Sequence, residues 1–450
     1  MEKRVQDYLQ ERGEKVLNLA GDLKVQAEAF LLYNRELSIE VVGGEVETLK
    51  QAEEIGLGVR VIDKGRLGFA YTTDLSDAAL KKTVERAVYI ARYAETDEHN
   101  VLPAGEQVYI NLPLYDENIE KESLENKIEL AREIERGARH KDKRIKIVER
   151  AGYEDTSVVL VIMNTAGLKA AERANFCGGY IFLVAEEDGD AQHGFAAVSK
   201  RRFKDILPRD IGEEGAVRAL RALKPGAIKT GNMPCVMEPY VVTRFLGIIA
   251  AAVSGDAVQK GKSMLKGRIG DKVAFAKLTL VDDGLYVEGM GAFPFDGEGV
   301  AARKNTIIAN GVLRSFLYDT YTGLKAGLSS TGNGQRTSFR TLPGVGTTNF
   351  MISPGDKTPG ELLEGIERGF YITEVMGMHT ANPITGEFSV GAAGIMIEKG
   401  KLSYPVKGAT IAGNIIDLLQ KVDGIGNDIR FYGSRAAPSL RIKSLSVGGV

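Results

Sequence analysis

Pro239-Tyr240-Val241-Val242-Thr243-Arg244-Phe245-Leu246-Gly247-Ile248-Ile249-Ala250-Ala251-Ala252-Val253 opens on a proline and then stays apolar on nearly every face of a helix. Proline suits the first helical position, where the missing N–H has no intrahelical partner to lose. A helix that is apolar all round must be buried. The longest unbroken apolar run within it, residues 245–253, has nine residues, against about twenty needed to cross a bilayer, so its burial has to be inside protein. Strand signals follow it at residues 278–281, 306–309, 312–317 around Asn310-Gly311, and 395–397 with 402–404 around Glu398-Lys399-Gly400. Short loops of this kind close antiparallel hairpins. Two more helices are predicted, one from the capping box Thr358-Pro359-Gly360-Glu361 through Phe370 and one over 411–422. This half reads as a β-rich domain, barrel-like or a strongly twisted antiparallel sheet, around a buried helix.

Upstream the composition changes. Of 53 glycines, 18 fall in residues 1–225 and 35 in 226–450, so the second half needs more turns and positive-φ positions. Lys224-Pro225-Gly226 marks the change, and two domains are expected, 1–225 and 226–450. In the first, Val25, Ala27, Ala29, Leu31 and Tyr33 alternate as in a half-buried strand, and residues 57–62 and 67–72 flank Asp63-Lys64-Gly65 as a hairpin. Ser76 caps a helix carrying Leu80, Val84, Ala87, Val88 and Ala91, and a second helix carries Leu124, Ile128, Ala131 and Ile134. Strands are predicted at 145–148, 158–163 and 180–184. The fold class is α+β, with an antiparallel N-terminal sheet covered by helices.

The 450 residues carry 58 Lys+Arg against 60 Asp+Glu, a net charge of -2 with no block of like charge. That balance offers no footprint for a phosphate backbone, so no direct nucleic-acid partner is expected. Met1-Glu2-Lys3-Arg4 leads into an acid-containing amphipathic segment rather than the apolar core of a signal peptide, and a cytoplasmic protein without membrane attachment is expected. Cys177 and Cys235 stand alone, and His99, His140, His193 and His379 are scattered. Neither set has the spacing of a zinc site. Gly255 and Gly261-Lys262-Ser263 miss the phosphate-loop spacing by one residue, and no Gly-x-Ser-x-Gly occurs.

Two loops are rich in chemistry. Residues 293–300 hold Asp296 and Glu298 between glycines, an acid/base pair or a solvated turn. Thr331-Gly332-Asn333-Gly334-Gln335-Arg336-Thr337-Ser338 combines glycines with amide and guanidinium donors, a peptide-binding loop or a polar sheet edge. Thr331, Asn333, Gln335 and Arg336, with Glu374 and His379, are the candidate lining of a peptide groove, in which Arg336 would offer a planar fork to a carboxylate.

Residues 373–377 (Thr-Glu-Val-Met-Gly) and 384–394, ending Gly391-Ala392-Ala393-Gly394, resemble the TldD/TldE (PmbA) family, the modulators of DNA gyrase. Residues 295–300, 330–333, 404–406, 410–414, 422–429 and 440–449 resemble its further motifs in order, as do 56–62, 65–69 and 87–92 in the first half. The TldD-like branch carries His-Glu-x-x-x-His at the start of the buried helix and a late Cys, which hold one metal ion. Here Glu238 stands at the first histidine, Pro239 at the glutamate, Thr243 at the second histidine, and Tyr432-Gly433-Ser434 where the cysteine segment would be. The resemblance therefore implies the TldE/PmbA-like branch, with no catalytic residue, metal or cofactor in this chain. It also implies a TldD-like metallopeptidase partner carrying one metal ion, zinc by expectation, in a heterodimer that processes small unfolded or modified peptides. The gyrase connection would be indirect, through degradation of small peptides directed at gyrase. The alternatives are a peptidase active alone with ligands such as Glu238, His379 and Asp296, and a peptide-binding homodimer without catalytic partner.

Overall fold

The computed structural model describes residues 2–105 and 107–449. The N-terminal part runs α1 (Glu2–Asp22), β1 (Gln26–Val42), β2 (Glu45–Asp63), β3 (Arg66–Thr72), α2 (Asp77–Tyr93), α3 (Glu117–Lys121), α4 (Leu124–Lys141), β4 (Ile145–Asn164), β5 (Lys169–Glu187), β6 (Asp190–Lys200) and α5 (Pro208–Leu220). Its six strands form one antiparallel sheet in the order β3-β2-β1-β4-β5-β6. Lys64 and Gly65, both at positive φ (54° and 78°), make the tight turn between β2 and β3, as the twist of a two-residue hairpin demands. Gly68 lets α2 lie close on β3, because a Cβ there would come within 2.0 Å of the Ala87 carbonyl oxygen.

Alternation along β1 explains the layers. Ala27, Ala29, Leu31 and Tyr33 face a core shared with α1 and α2, and Leu37, Ile39 and Val41 on the same face join a second core under α4 and α5. The opposite face was expected to meet solvent. Instead, Phe30 packs with Phe295 and Phe339 of the C-terminal half, and Glu28 is fully buried. The strands expected at 145–148 and 158–163 are one, β4, because its polar middle pairs with β1 on one side and β5 on the other. Asp155 in that middle is buried against Lys127 of α4 at 2.7 Å.

The C-terminal part continues with β7 (Gly231–Met237), α6 (Pro239–Ala252), α7 (Gly255–Gln259), β8 (Leu280–Asp283), β9 (Lys304–Ala309), β10 (Val312–Leu313), α8 (Thr320–Lys325), β11 (Gly334–Gln335), β12 (Gly344–Val345) and β13 (Phe350–Ile352). It ends with β14 (Arg368–Met376), β15 (Glu387–Glu398), β16 (Lys401–Asn414), α9 (Ile415–Lys421), β17 (Val422–Ile425), β18 (Arg430–Tyr432), β19 (Arg435–Ala437) and β20 (Leu440–Gly448). Strands β16-β15-β14-β7-β20 close into a five-stranded barrel through a β16–β20 pairing, with β17 on the outer side of β20. A second sheet has the order β10-β9-β8-β13-β19-β18. The α6 residues Val241, Val242, Phe245, Leu246, Ile249 and Ala252 share one core with barrel residues such as Phe370 and Phe388 and with Leu280 and Phe350 of the second sheet. The fold class and the buried helix are as the sequence indicated.

Two expected helices differ. Thr358 and Glu361 do exchange the bonds of a helix start, at 2.7 and 3.3 Å, but the chain turns through Gly360 and Gly365 (φ 74°) and enters β14. Residues 411–414 complete β16 at the barrel seam opposite β20, and only Ile415–Lys421 is helical, with the Asn414 side chain accepting from Ile416 N–H at 2.9 Å. The strand expected over 312–317 stops at Leu313. Among the described residues, no helix is long and apolar enough to cross a membrane.

Candidate functional site

The junction of β7 and α6 carries the positions where the metal motif of the TldD-like branch would fall. Glu238 is the N-cap residue of α6, yet its carboxylate makes no capping bond. It is taken instead by Arg221, just past the end of α5, whose Nη1 and Nη2 donate to the two carboxylate oxygens at 2.5 and 2.9 Å. Pro239 follows at the first helical position. Thr243 is buried and its hydroxyl donates back to the Tyr240 carbonyl at 2.7 Å. Tyr432 lies edge-on to Tyr240, with ring centroids 5.1 Å apart, and accepts from Arg218 Nη2 at 3.1 Å. Arg218 and Arg430 together hold Glu214.

These residues do not fit a metal ion. Glu238 already neutralises a guanidinium, proline has no donor atom, and the Thr243 hydroxyl is spent on its own helix. A metal needs about three ligands with one open position. Among the described residues, no group of three or more His, Cys, Asp or Glu side chains is placed to hold one. The alternative set of Glu238, His379 and Asp296 does not converge: Glu238 pairs with Arg221, His379 is exposed on the turn Met378–Thr380, and Asp296 is buried among backbone donors.

The junction opens into a cavity of about 480 Å³. One wall comes from Phe182 and Phe195 on β5 and β6, another from Arg218 and Arg221, and a third from the barrel strands through Thr373, Glu374, Met376, Ala393 and Gly394. The barrel wall is irregular, since the β14–β15 register shifts between Ile372 and Glu374 and leaves Thr373 unpaired. Bulges of this kind re-aim side chains beside sites. Residues of the two motifs read as TldE-like, 373–377 and 391–394, thus line the same cavity as Arg221, the partner of Glu238, and Tyr240 of α6.

Asp296, Glu298, Asn333 and Arg336 lie elsewhere, in a buried polar cluster between the two halves. Glu28 and Arg60 are cross-strand partners on β1 and β2, and Arg60 Nη2 donates to Glu28 at 2.7 Å while Nη1 donates to Glu298 at 3.0 Å. Arg336 donates to the other Glu28 oxygen and, at 2.8 Å, to the Gly297 carbonyl. Asp296 accepts from the backbone N–H groups of Glu298, Val300 and Gly334 at 2.7–3.0 Å. Three carboxylates, Glu28, Asp296 and Glu298, here meet two guanidiniums, Arg60 and Arg336. The surplus falls on Asp296, whose pKa is pushed up by burial and then by the charge of Glu298. Asn333 donates to Asp282 at 2.6 Å, and burial raises Asp282 to about 6.

The expected groove is therefore corrected. Thr331, Asn333 and Arg336 bond to one another's surroundings, Arg336 with a side chain 0% exposed. Gln335 sits in β11 paired with Gly344. Only Glu374 of the six lines the cavity at α6, and it is exposed, as is His379. The residues missed from sequence are Arg218 and Arg221, which their i, i+3 spacing at the basic end of α5 marks as a pair but not as a site.

Residues 27–91, 117–223 and 230–449 match, in turn, domain 1, the central domain and the C-terminal domain of the PmbA/TldA metallopeptidases. Metalloprotease PmbA of Escherichia coli O157:H7 is 30% identical over 98% of this chain and 96% of its own length. A crystal structure described as a modulator of a DNA gyrase, from Thermotoga maritima MSB8, superposes with a TM-score of 0.91 at 29% identity, covering 98% of this chain and all of the other. The fold is also that of TldE from Thermococcus kodakarensis, at TM-score 0.91 and 23% identity over 97% of this chain and all of that one.

Proposed function

This chain belongs to the PmbA/TldD/TldE family of metallopeptidase-like proteins, and on that premise we propose that it is the non-catalytic, TldE/PmbA-like subunit of a two-chain cytoplasmic metallopeptidase. Its partner is a TldD-like chain that holds the metal ion, and this chain shapes the chamber in which small unfolded or modified peptides are cut. The observation that carries the reading is the Arg221–Glu238 ion pair at the head of α6. Hydrolysis at neutral pH needs a metal with an open position and a base in reach, and a carboxylate held by a guanidinium at both oxygens serves neither purpose. The cavity itself persists, walled by barrel strands, α5 and two phenylalanines, as suits a subunit that still meets peptide.

The test is co-expression with a TldD-like chain from the same organism. Co-purification as a 1:1 complex, with peptide hydrolysis by the pair that Glu238→His in this chain does not raise, supports the reading. Light scattering that returns two separate chains at micromolar concentration contradicts it.

A further inference from the structure

Arg221 has five N–H donors. Glu238 uses two, and the other three have no partner among the described residues, although the side chain is only 28% exposed. The same cavity is lined by Glu374, whose carboxylate makes no hydrogen bond or ion pair among the described residues and which is exposed. It is also lined by an aromatic pair, Phe182 and Phe195, with ring centroids 4.6 Å apart, Phe182 carrying the Arg150 guanidinium 4.7 Å from its centroid. A cationic fork with spare donors, an apolar wall and an unpaired carboxylate are the complement of a short peptide with both ends free.

Resting on the peptide-handling role above, we propose that this cavity binds the terminus of a short zwitterionic peptide. The C-terminal carboxylate sits on the unused donors of Arg221, the last side chain lies against Phe182 and Phe195, and Glu374 attracts the α-ammonium. The space of about 480 Å³ is of the size that takes small ligands rather than a folded partner. Glu238 keeps Arg221 in place, so the fork is pre-formed before any peptide arrives and less ordering opposes binding. Such a site takes cleavage products, whose new ends are charged, in preference to the interior of a longer chain.

The experiment is calorimetric titration of the purified full-length chain alone with Ala-Ala-Phe, its C-terminal amide and its N-acetyl form. The free tripeptide is expected to bind, the amide roughly tenfold more weakly for loss of a charge-assisted bond, and the N-acetyl form more weakly by a smaller factor. Arg221→Lys keeps the charge and loses the fork, and should weaken the free tripeptide roughly tenfold while the melting temperature holds. Glu374→Gln should weaken the free tripeptide and leave the N-acetyl form unchanged. No heat with millimolar tripeptide, or equal binding of acid and amide, overturns the proposal. Because no partner chain is present, that result leaves the two-chain assembly to be decided by its own test.

Discussion

Arg336 and Arg221 each hold a glutamate, Glu28 and Glu238, but the first side chain is 0% exposed and the second 28%. Around Arg336 the other groups are buried as well, and backbone donors or carbonyls meet Asp296, Glu298 and Arg336, although Arg60 Nε has no partner among the described residues and Arg60 and Glu298 edge a second cavity. Arg221 instead borders an open cavity. The same ion pair is therefore a joint between domains in one place and part of a cleft in the other. Burial decides which. A fully desolvated pair is held by protein groups and becomes structural, whereas a partly exposed one keeps donors for a ligand.

The largest effect is expected at Arg336. Arg336→Ala leaves Glu28 with one guanidinium instead of two and should cost on the order of 3–5 kcal/mol in urea unfolding at neutral pH; a loss under about 1 kcal/mol would place this pair with surface ion pairs. Asp282 comes next. Its folded pKa is about 6 against an ordinary 3.8, so the folded chain holds the proton more tightly. The stability it contributes is complete below the unfolded value and is lost as pH rises through about 6, on the order of 3 kcal/mol. Unfolding midpoints of the parent chain should fall between pH 4 and pH 7 more steeply than those of Asp282→Asn. A parallel pair of curves would remove Asp282 as the source.

Gly334→Ala probes the closeness of the joint, since a Cβ there would lie 2.8 Å from a Glu298 carboxylate oxygen and 3.1 Å from one of Asp296. A loss of about 1–3 kcal/mol is expected. The cleft side gives the smallest effects. Arg221→Lys and Glu374→Gln should each shift stability by less than about 1 kcal/mol, and a larger loss would make the cleft residues structural too.

Where local chemistry governs, the sequence was readable. The hairpin through Lys64-Gly65, the Ser76 cap, the stripe of α4 and the largely apolar α6 fall where their patterns put them. What was not readable depends on long-range packing. Glu28 looks like the solvent side of a strand and is buried because the C-terminal half covers that face. Arg336 sits in a loop of typical binding composition, and its partner is 308 residues away. Arg221 and Glu238 are 17 apart, but only the placement of α5 over the α6 junction brings them together. Thr358 carries a genuine capping box, and the glycines after it stop the helix it would start.

On the proposed reading, the head of α6 holds an ion pair where the TldD-like branch would hold a metal ion. Metal analysis of the purified chain, produced alone and assayed against peptide with and without chelator, tests it most directly. Less than about a tenth of an equivalent of transition metal is expected, on the order of adventitious binding, with no hydrolysis in either condition. One equivalent of zinc with cleavage that the chelator abolishes would contradict it.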